Sequence, residues 1–446
     1  MDQRRVLRLR AGSPGAAGRR CHDPGAGTAR GAGREGRAAR LPPRGLLAAH
    51  GHPAREASSG AAVVRGHRSL EARVVTHRLA KFFDGRSVLV TGHTGFKGAW
   101  LAAWLRRLGA RVSGFALPPE AGRPALFDEL DLASRVSSHL GDLRDREAVA
   151  AALGAEQPEI VFHLAAQSLV RRSYRDPLET WSTNIMGTAH LLEAVRATPS
   201  VRTVVVVTSD KCYENREWDL AYRESDALGG HDPYSASKGA QEILATSYRR
   251  SFLDGRDPRT GLATARAGNV IGGGDWSEDR LLPDIVRALT AGEAVPIRRP
   301  GAVRPWQHVL EPLAGYLALA MHLRGDPETF GNAWNFGPDP SGSGTVREVV
   351  EQALEAWGSG SWTDLSSRDD GPHEAGLLRL DCSRAMTRLD WRPVLDRGRA
   401  VDWTLSWYRD RAGSESFDAA SAIDAQIAAY EEAATAAGAG WAMPAR

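Results

Sequence analysis

From Ser87 onward, short apolar runs of strand character alternate with helical stretches, and the first pair is joined by a glycine-rich turn. Ser87–Thr91 (SVLVT) leads into Gly92-His93-Thr94-Gly95-Phe96-Lys97-Gly98, then a helical Ala99–Leu108, then a second strand at Val112–Ala116. The alternation continues. Val136–Leu140, Ile160–Leu164, Val201–Val207 and Gly261–Arg266 read as strands. Glu147–Leu153, Leu178–Arg196 and Ala240–Phe252 read as helices between them. Strands separated by helices must run parallel, and uniformly apolar strands such as Val201–Val207 need cover on both faces. The expected fold class is therefore α/β, a doubly wound parallel sheet. In such a sheet ligands sit beyond the carboxyl ends of the strands, where Gly92, Ala165 and Thr208 fall.

Gly92, Gly95 and Gly98 have G-x-x-G-x-x-G spacing at a strand-to-helix junction. Such glycines allow a tight turn, close approach of a pyrophosphate to the backbone, and close helix–strand contact, with the helix N-terminus facing the anion. A purely structural turn is the competing reading, but the position between strand and helix favours nucleotide binding. No acid follows the second strand at Leu117-Pro118-Pro119, so no ribose-binding carboxylate marks NAD over NADP there.

A Tyr–Lys pair four residues apart, Tyr234-Ser235-Ala236-Ser237-Lys238, opens the helix after the central apolar strand. At that spacing both side chains share one helical face. A phenol of pKa about 10 is a poor base at neutral pH, and a neighbouring ammonium is expected to favour the phenolate. Tyr234 is thus the expected proton acceptor from a hydroxyl, with Lys238 also available to a nicotinamide ribose. The bland alternative is a surface helix pair. Ser209, Asp210 and Lys211 leave the end of Val201–Val207. Ser209 is expected to hydrogen-bond the reacting hydroxyl, Asp210 to act as a general acid and Lys211 to handle a proton; a turn cap and a solvated lysine are the alternatives. Cys212 has no His partner in sequence and reads as packing.

Lysine is rare in this chain: the 57 basic residues include only four, Lys81, Lys97, Lys211 and Lys238. Three of the four fall inside the motifs above, as if chemistry there required an ammonium where coding elsewhere drifted to arginine.

Charge is distributed unevenly. Residues 1–80 carry 16 Arg and 5 acidic residues, a net of +11, whereas the whole chain is +3 and the remainder therefore −8. The Gly/Ala/Pro/Arg leader has no periodicity and is expected to be disordered, with no 7–15-residue apolar segment of a secretory signal. It reads as an artefact of an upstream start, a functional tail or a targeting peptide. Nucleic-acid binding would rest on that leader alone. No apolar run approaches the ~20 residues that span a bilayer. Three distant cysteines exclude a disulfide scaffold, and the histidines show no ligand spacing, so no metal is expected.

The segment from about Phe82 to Tyr408 resembles the extended short-chain dehydrogenase/reductase family, and within it the sugar-nucleotide 4,6-dehydratases. The resemblance is carried by GHTGFKG (Gly92–Gly98), FHLAAQSLVR (Phe162–Arg171), NIMGT (Asn184–Thr188), TSDKCY (Thr208–Tyr213), YRESDALGGHDPYSASK (Tyr222–Lys238), AGNVIGGGDW (Ala267–Trp276) and RPWQHVLEP (Arg304–Pro312). It implies a Rossmann-type NAD-binding domain over residues 79–268 and a smaller C-terminal, mainly substrate-binding region over 269–415 with returns to the main sheet. A leader at 1–78 and an Ala-rich, frayed tail at 416–446 flank them.

The resemblance implies tightly bound NAD, regenerated each turnover and held by Gly92, Thr94, Gly95, Phe96, Lys97, Gly98, Asp142, Leu143, Leu164, Ala165, Ala166, Tyr234 and Lys238. It implies substrate contacts from Gln167, Ser168, Asn269, Arg298, Arg304 and Trp306, with the arginine forks suited to a diphosphate. Trp276 is a further candidate pocket wall, with packing as its alternative. Where many relatives have Asp-Glu, this chain has Asp210-Lys211. That looks like the branch acting on CDP-glucose rather than dTDP-glucose or GDP-mannose, and it leaves the base at sugar C5 open. Asp210 argues for dehydration over 4-epimerisation. The resemblance further implies a cytoplasmic enzyme, a homodimer or dimer of dimers, with no membrane or nucleic-acid partner. Its product would lead to surface polysaccharide such as lipopolysaccharide O-antigen.

Overall fold

The computed structural model describes residues 77–339, 342–368 and 376–444, all within one compact unit, Glu71–Arg446. All but the last two residues of the 1–78 leader lie outside the described residues, as does Cys21. Seven parallel strands form the central sheet: β1 (Ser87–Thr91), β2 (Arg111–Ala116), β3 (Ser137–Leu140), β4 (Ile160–His163), β5 (Thr203–Val207), β6 (Gly261–Ala267) and β7 (Ala333–Phe336). Their order is β7-β6-β5-β4-β1-β2-β3. Every pairing is parallel, as intervening helices require.

The period-2 geometry of each strand divides its side chains between two cores. Val88 and Val90 of β1 join Val205 and Val207 of β5 in one core, with Trp100 and Trp104 of α1 (Phe96–Arg107). Leu89, Val204 and Val206 join the opposite core, with Leu153 of α2 (Arg146–Glu156) and Leu191 and Val195 of α3 (Gly187–Ala197). The doubly wound expectation is met. The order reverses at β1, which pairs with β4 on one side and β2 on the other, and this opens a crevice at the strands' carboxyl ends.

Two helices differ from their sequence reading. Leu178–Arg196 is not one regular helix: Pro177–Trp181 passes through a π turn at Ser182–Met186 before α3 begins. The extra residue per turn carries Thr183 to the crevice and buries Asn184. The helix opened by the Tyr–Lys pair, α4 (Pro233–Tyr248), begins one residue before Tyr234, in line with the sequence reading, but its last stretch is not regular and ends in a π turn, Arg249–Leu253. Asp232 caps α4, accepting from the Ser235 amide at 2.9 Å, and Pro233 occupies the first turn.

The Ala-rich tail is not frayed. It forms α6 (Ala419–Ala436), following α5 (Leu310–Gly325), which is buried almost throughout. Ile423, Ile427 and Tyr430 of α6 are buried. Trp104 Nε1 donates to Glu431 at 2.9 Å, and the Tyr430 hydroxyl donates to Glu311 of α5 at 2.8 Å. Such anchors join elements more than 100 residues apart, so local composition could not reveal them. Among the described residues, no helix is long and apolar enough to cross a membrane.

Candidate active site

A cleft of about 580 Å³ lies at the carboxyl ends of β1, β4, β5 and β6. The glycine-rich turn forms its floor. Gly92 sits at φ +77°, where a Cβ would meet the Ala165 amide nitrogen at 2.8 Å. A Cβ on Gly98 would overlap the Gly92 carbonyl oxygen. No side chain caps α1, whose N-cap is Gly95, so its first-turn amides remain for an anion. Thr94, Phe96, Lys97, Asp142, Leu143, Leu164, Ala165 and Ala166 line the same cleft. The Asp142 carboxylate is gripped by Arg144 at 2.9 Å, which holds its pKa below the usual range.

The segment after β5 turns inward. Ser209 caps a short 3₁₀ turn, accepting from the Lys211 amide at 3.2 Å and donating to Asp210 Oδ1 at 2.9 Å. Asp210 is only 2 % exposed. Burial raises its pKa above the usual carboxylate value, against the opposing charges of Lys211 and Arg304 and the Ser209 hydrogen bond. Its Oδ2 is buried without a hydrogen-bond partner. A carboxyl group whose pKa is raised in a cleft is a candidate general acid.

Tyr234 and Lys238 enter from the first turns of α4 and are both buried. The expected ammonium-favoured phenolate is corrected here. Burial pushes Tyr234 up to about 12, Asp210 adds to the rise, and Ser209 and Arg280 only partly oppose it. Lys238 Nζ stands 6.0 Å from the Tyr234 ring centre, and burial together with the Lys97 ammonium lowers its own pKa to about 7. An amine so desolvated is a weaker electrostatic support than the four-residue spacing suggests. Lys97 is likewise lowered to about 8 by burial and by Arg280, and its Nζ lies 3.5 Å from the Tyr316 hydroxyl.

The opposite wall brings together Ser168, Asn269, Arg298, Arg304 and Trp306. Arg298 pairs with Asp279 at 3.4 Å, Arg304 donates to the Gly376 carbonyl at 3.2 Å, and Trp306 Nε1 donates to Gly344 at 3.2 Å.

Gln167 and Trp276 are the expected site residues that do not line the cleft. The Gln167 side chain donates to Thr180 at 2.9 Å and accepts from the Leu169 amide at 2.6 Å, while its backbone is bracketed by the Asn184 carboxamide. It shapes the loop before the π turn rather than facing a ligand. Trp276 also packs away from the cleft, edge-on to Tyr408 at 5.2 Å with Arg411 over its ring. Cys212 is buried and its thiol pKa is pushed well up by desolvation, consistent with packing.

Arg280 was not singled out by sequence, being one arginine among 53. It lines the cleft, pairs with Asp275 at 3.0 Å and reaches Ser168 at 3.4 Å. Glu242 was also missed. It accepts from Thr208 at 2.5 Å and Thr264 at 2.6 Å and pairs with Arg266 at 2.8 Å, tying α4 to the ends of β5 and β6.

Comparison with known proteins places this geometry. Residues 88–337 match the NAD dependent epimerase/dehydratase family. A CDP-glucose 4,6-dehydratase of Salmonella typhimurium is 48% identical over 336 residues, covering 74% of this chain and 93% of that protein. A dTDP-glucose 4,6-dehydratase of Streptomyces griseus is 29% identical over 72% of this chain and 93% of its own length. Among solved structures, a dTDP-glucose 4,6-dehydratase of Streptomyces venezuelae with NAD bound superposes at a TM-score of 0.62 and 26% identity, over 73% of this chain and 98% of that one. The side-chain-free approach at Gly92 and Gly98 and the uncapped helix start fit a dinucleotide, and NAD is the cofactor. With more than half its length matched and a relative at nearly half identity, the chain belongs to the NAD dependent epimerase/dehydratase family.

Proposed function

We propose that this chain is a CDP-glucose 4,6-dehydratase, converting CDP-D-glucose to CDP-4-dehydro-6-deoxy-D-glucose and water. The observation that carries the reading is the buried, protonation-prone Asp210 in the same cleft as Tyr234 and Lys238. The 48% identity to a protein of that activity supports the choice of sugar nucleotide. Bound NAD supplies the hydride acceptor at C4 and donor at C6, together with a positive charge in the cleft.

The residues divide the remaining work. Tyr234 accepts the proton of the 4-hydroxyl, with Ser209 hydrogen-bonding at the same oxygen. Burial favours the protonated form of Tyr234, so the phenol first gives up its proton, and the route the structure supplies runs through the Ser209 hydroxyl to the Asp210 carboxylate. The 4-ketone acidifies C5–H, and Lys211 takes that proton and returns it to C5 as C6 is reduced. Asp210 delivers its proton to the departing 6-hydroxyl, which leaves as water. Arg298 and Arg304 take the diphosphate, with Arg280 beside the sugar.

Purified protein is to be incubated with CDP-glucose, dTDP-glucose, UDP-glucose and GDP-mannose, followed by alkali-induced absorbance and product mass. Loss of water from CDP-glucose in preference to the others is expected; loss from none overturns the reading. The working form in this proposal is a cytoplasmic homodimer. The support is a set of exposed apolar side chains, Leu178, Trp181, Met186 and Ile243, on the neighbouring segments Pro177–Ala197 and α4. Ile243→Glu with Leu178→Glu should give monomers in sedimentation; an unchanged mass overturns that assembly.

A further inference from the structure

We propose that Gln241 is a positioning residue for Lys238, holding its ammonium through a hydrogen-bond chain that runs back to the strand ends beneath the cofactor cleft. The inference rests on the dehydratase reading for what Lys238 does, but its geometry stands apart from it.

Lys238 has no ion-pair partner among the described residues. Its Nζ donates to Gln241 Oε1 at 3.0 Å and more distantly to the Val207 carbonyl at 3.4 Å. Gln241 is fully buried. An ammonium can only donate, so the carboxamide must present its oxygen to Lys238 and its nitrogen elsewhere. Gln241 Nε2 donates to Thr188 Oγ1 at 2.7 Å. The single Thr188 hydroxyl proton goes to the Asn184 carbonyl at 2.7 Å. His163 Nε2, 2.9 Å from the same oxygen, must therefore be a donor. That leaves His163 Nδ1 as acceptor for the Thr91 hydroxyl at 2.7 Å, and Thr91 Oγ1 in turn accepts from the Leu164 and Ala165 amides at 3.2 and 3.1 Å.

The directions follow from the donor-only ammonium, the acceptor-only Asn184 carbonyl and a His163 ring that carries one proton. His163 is neutral, held down to about 3 chiefly by burial, which agrees with a one-proton imidazole. The chain joins β1, β4, α3 and α4, so Gln241 cannot rotate without stranding several buried polar groups.

The charged and titratable groups around Lys238 come from three other elements and from its own helix. Lys97 faces it from α1, Cys212 from the 3₁₀ turn, His163 from β4, and Glu242 and Tyr234 from α4 itself. Against the repulsion of Lys97, the Gln241 oxygen is the close acceptor that favours the charged amine.

The test is the pH profile of kcat/KM for CDP-glucose in the full chain, with Gln241→Met and Gln241→Glu. Loss of the acceptor should move the alkaline limb down by about one pH unit, and a carboxylate in its place should move it up by about one unit or more. NAD content and thermal unfolding report folding. A merely structural role predicts lower activity with an unmoved limb. Limbs unchanged in both variants, or displaced in the same direction, overturn the proposal.

Should Gln241→Met fail to fold, Thr188→Val frees the carboxamide and should shift the limb down, and Gln241→Glu must still shift it up. Acetylation of Lys238 by acetic anhydride against pH, read by peptide mass, gives the same ordering without substrate. A wild type that dehydrates no sugar nucleotide but shows that ordering defeats the dehydratase reading alone. An active wild type without the ordering defeats this one.

Discussion

Arg266→Met attacks the pair that clamps α4 to the sheet. The Arg266 and Glu242 side chains are 3% and 2% exposed, with N–O at 2.8 Å. Arg266 also donates to the Tyr213 hydroxyl at 2.8 Å. Removing the guanidinium leaves a buried carboxylate without its ion-pair partner, hydrogen-bonded by Thr208 and Thr264 and with Lys238 and Arg249 as more distant cations. Breaking a buried pair from one side costs about 3–5 kcal/mol, because the remaining charge stays desolvated and uncompensated. At roughly 2 °C per kcal/mol for a large domain, the midpoint of thermal unfolding should fall by about 6–10 °C. The double variant Arg266→Met with Glu242→Leu removes both charges and should recover a large part of the loss. Thr208 directly precedes Ser209 and Asp210, so the single variant should also lower turnover. Scanning calorimetry and denaturant unfolding on the three proteins check this. A loss under about 1 kcal/mol in Arg266→Met, or a double variant no better than the single, refutes the reasoning.

Three further outcomes follow from the site. Asp210→Asn should leave C4 oxidation intact and slow elimination by about 10²–10⁴-fold, the range of a general acid; single-turnover experiments should show reduced cofactor accumulating, and normal elimination would remove Asp210 from its role. Gly98→Ala sets a Cβ against the Gly92 carbonyl, so NAD content after purification should drop to near zero while the apolar core remains folded by circular dichroism. His93, His163 and His308 are buried and lowered to about 4, 3 and 3 respectively, chiefly by desolvation. Their unfolded forms take up protons near pH 6.5 while the native forms do not, so stability should be full above that pH. It should fall by up to about 1.4 kcal/mol per pH unit per histidine as pH drops toward 4; a flat profile between pH 6.5 and 5 would contradict this.

Much of the site was legible because its motifs are local. Gly92–Gly98 needs only a strand before it and a helix after it, and Tyr234 and Lys238 share a face through helical spacing alone. The misreadings have a common origin in contacts across the chain. Gln167 looked like a substrate contact because it sits in the motif FHLAAQSLVR, yet Thr180 and Asn184 claim it. The last helix looked frayed because its alanines carry little signal, yet Trp104 and Glu311 wait for it on other elements. Arg280 differs from the other arginines only in where the fold puts it.

Sequence by itself determined the alternation of strands and helices, the two-sided burial of the sheet and the residues at its carboxyl edge, because each follows from backbone periodicity and side-chain type within a few positions. Tertiary structure alone decided the charge states. Tyr234 is held protonated, Lys238 is pressed toward neutrality and Asp210 toward its acid form, because desolvation depends on what surrounds a group in space. The carboxamide of Gln241 and the tautomer of His163 belong to the same class: their hydrogen-bond directions exist only once β1, β4, α3 and α4 meet.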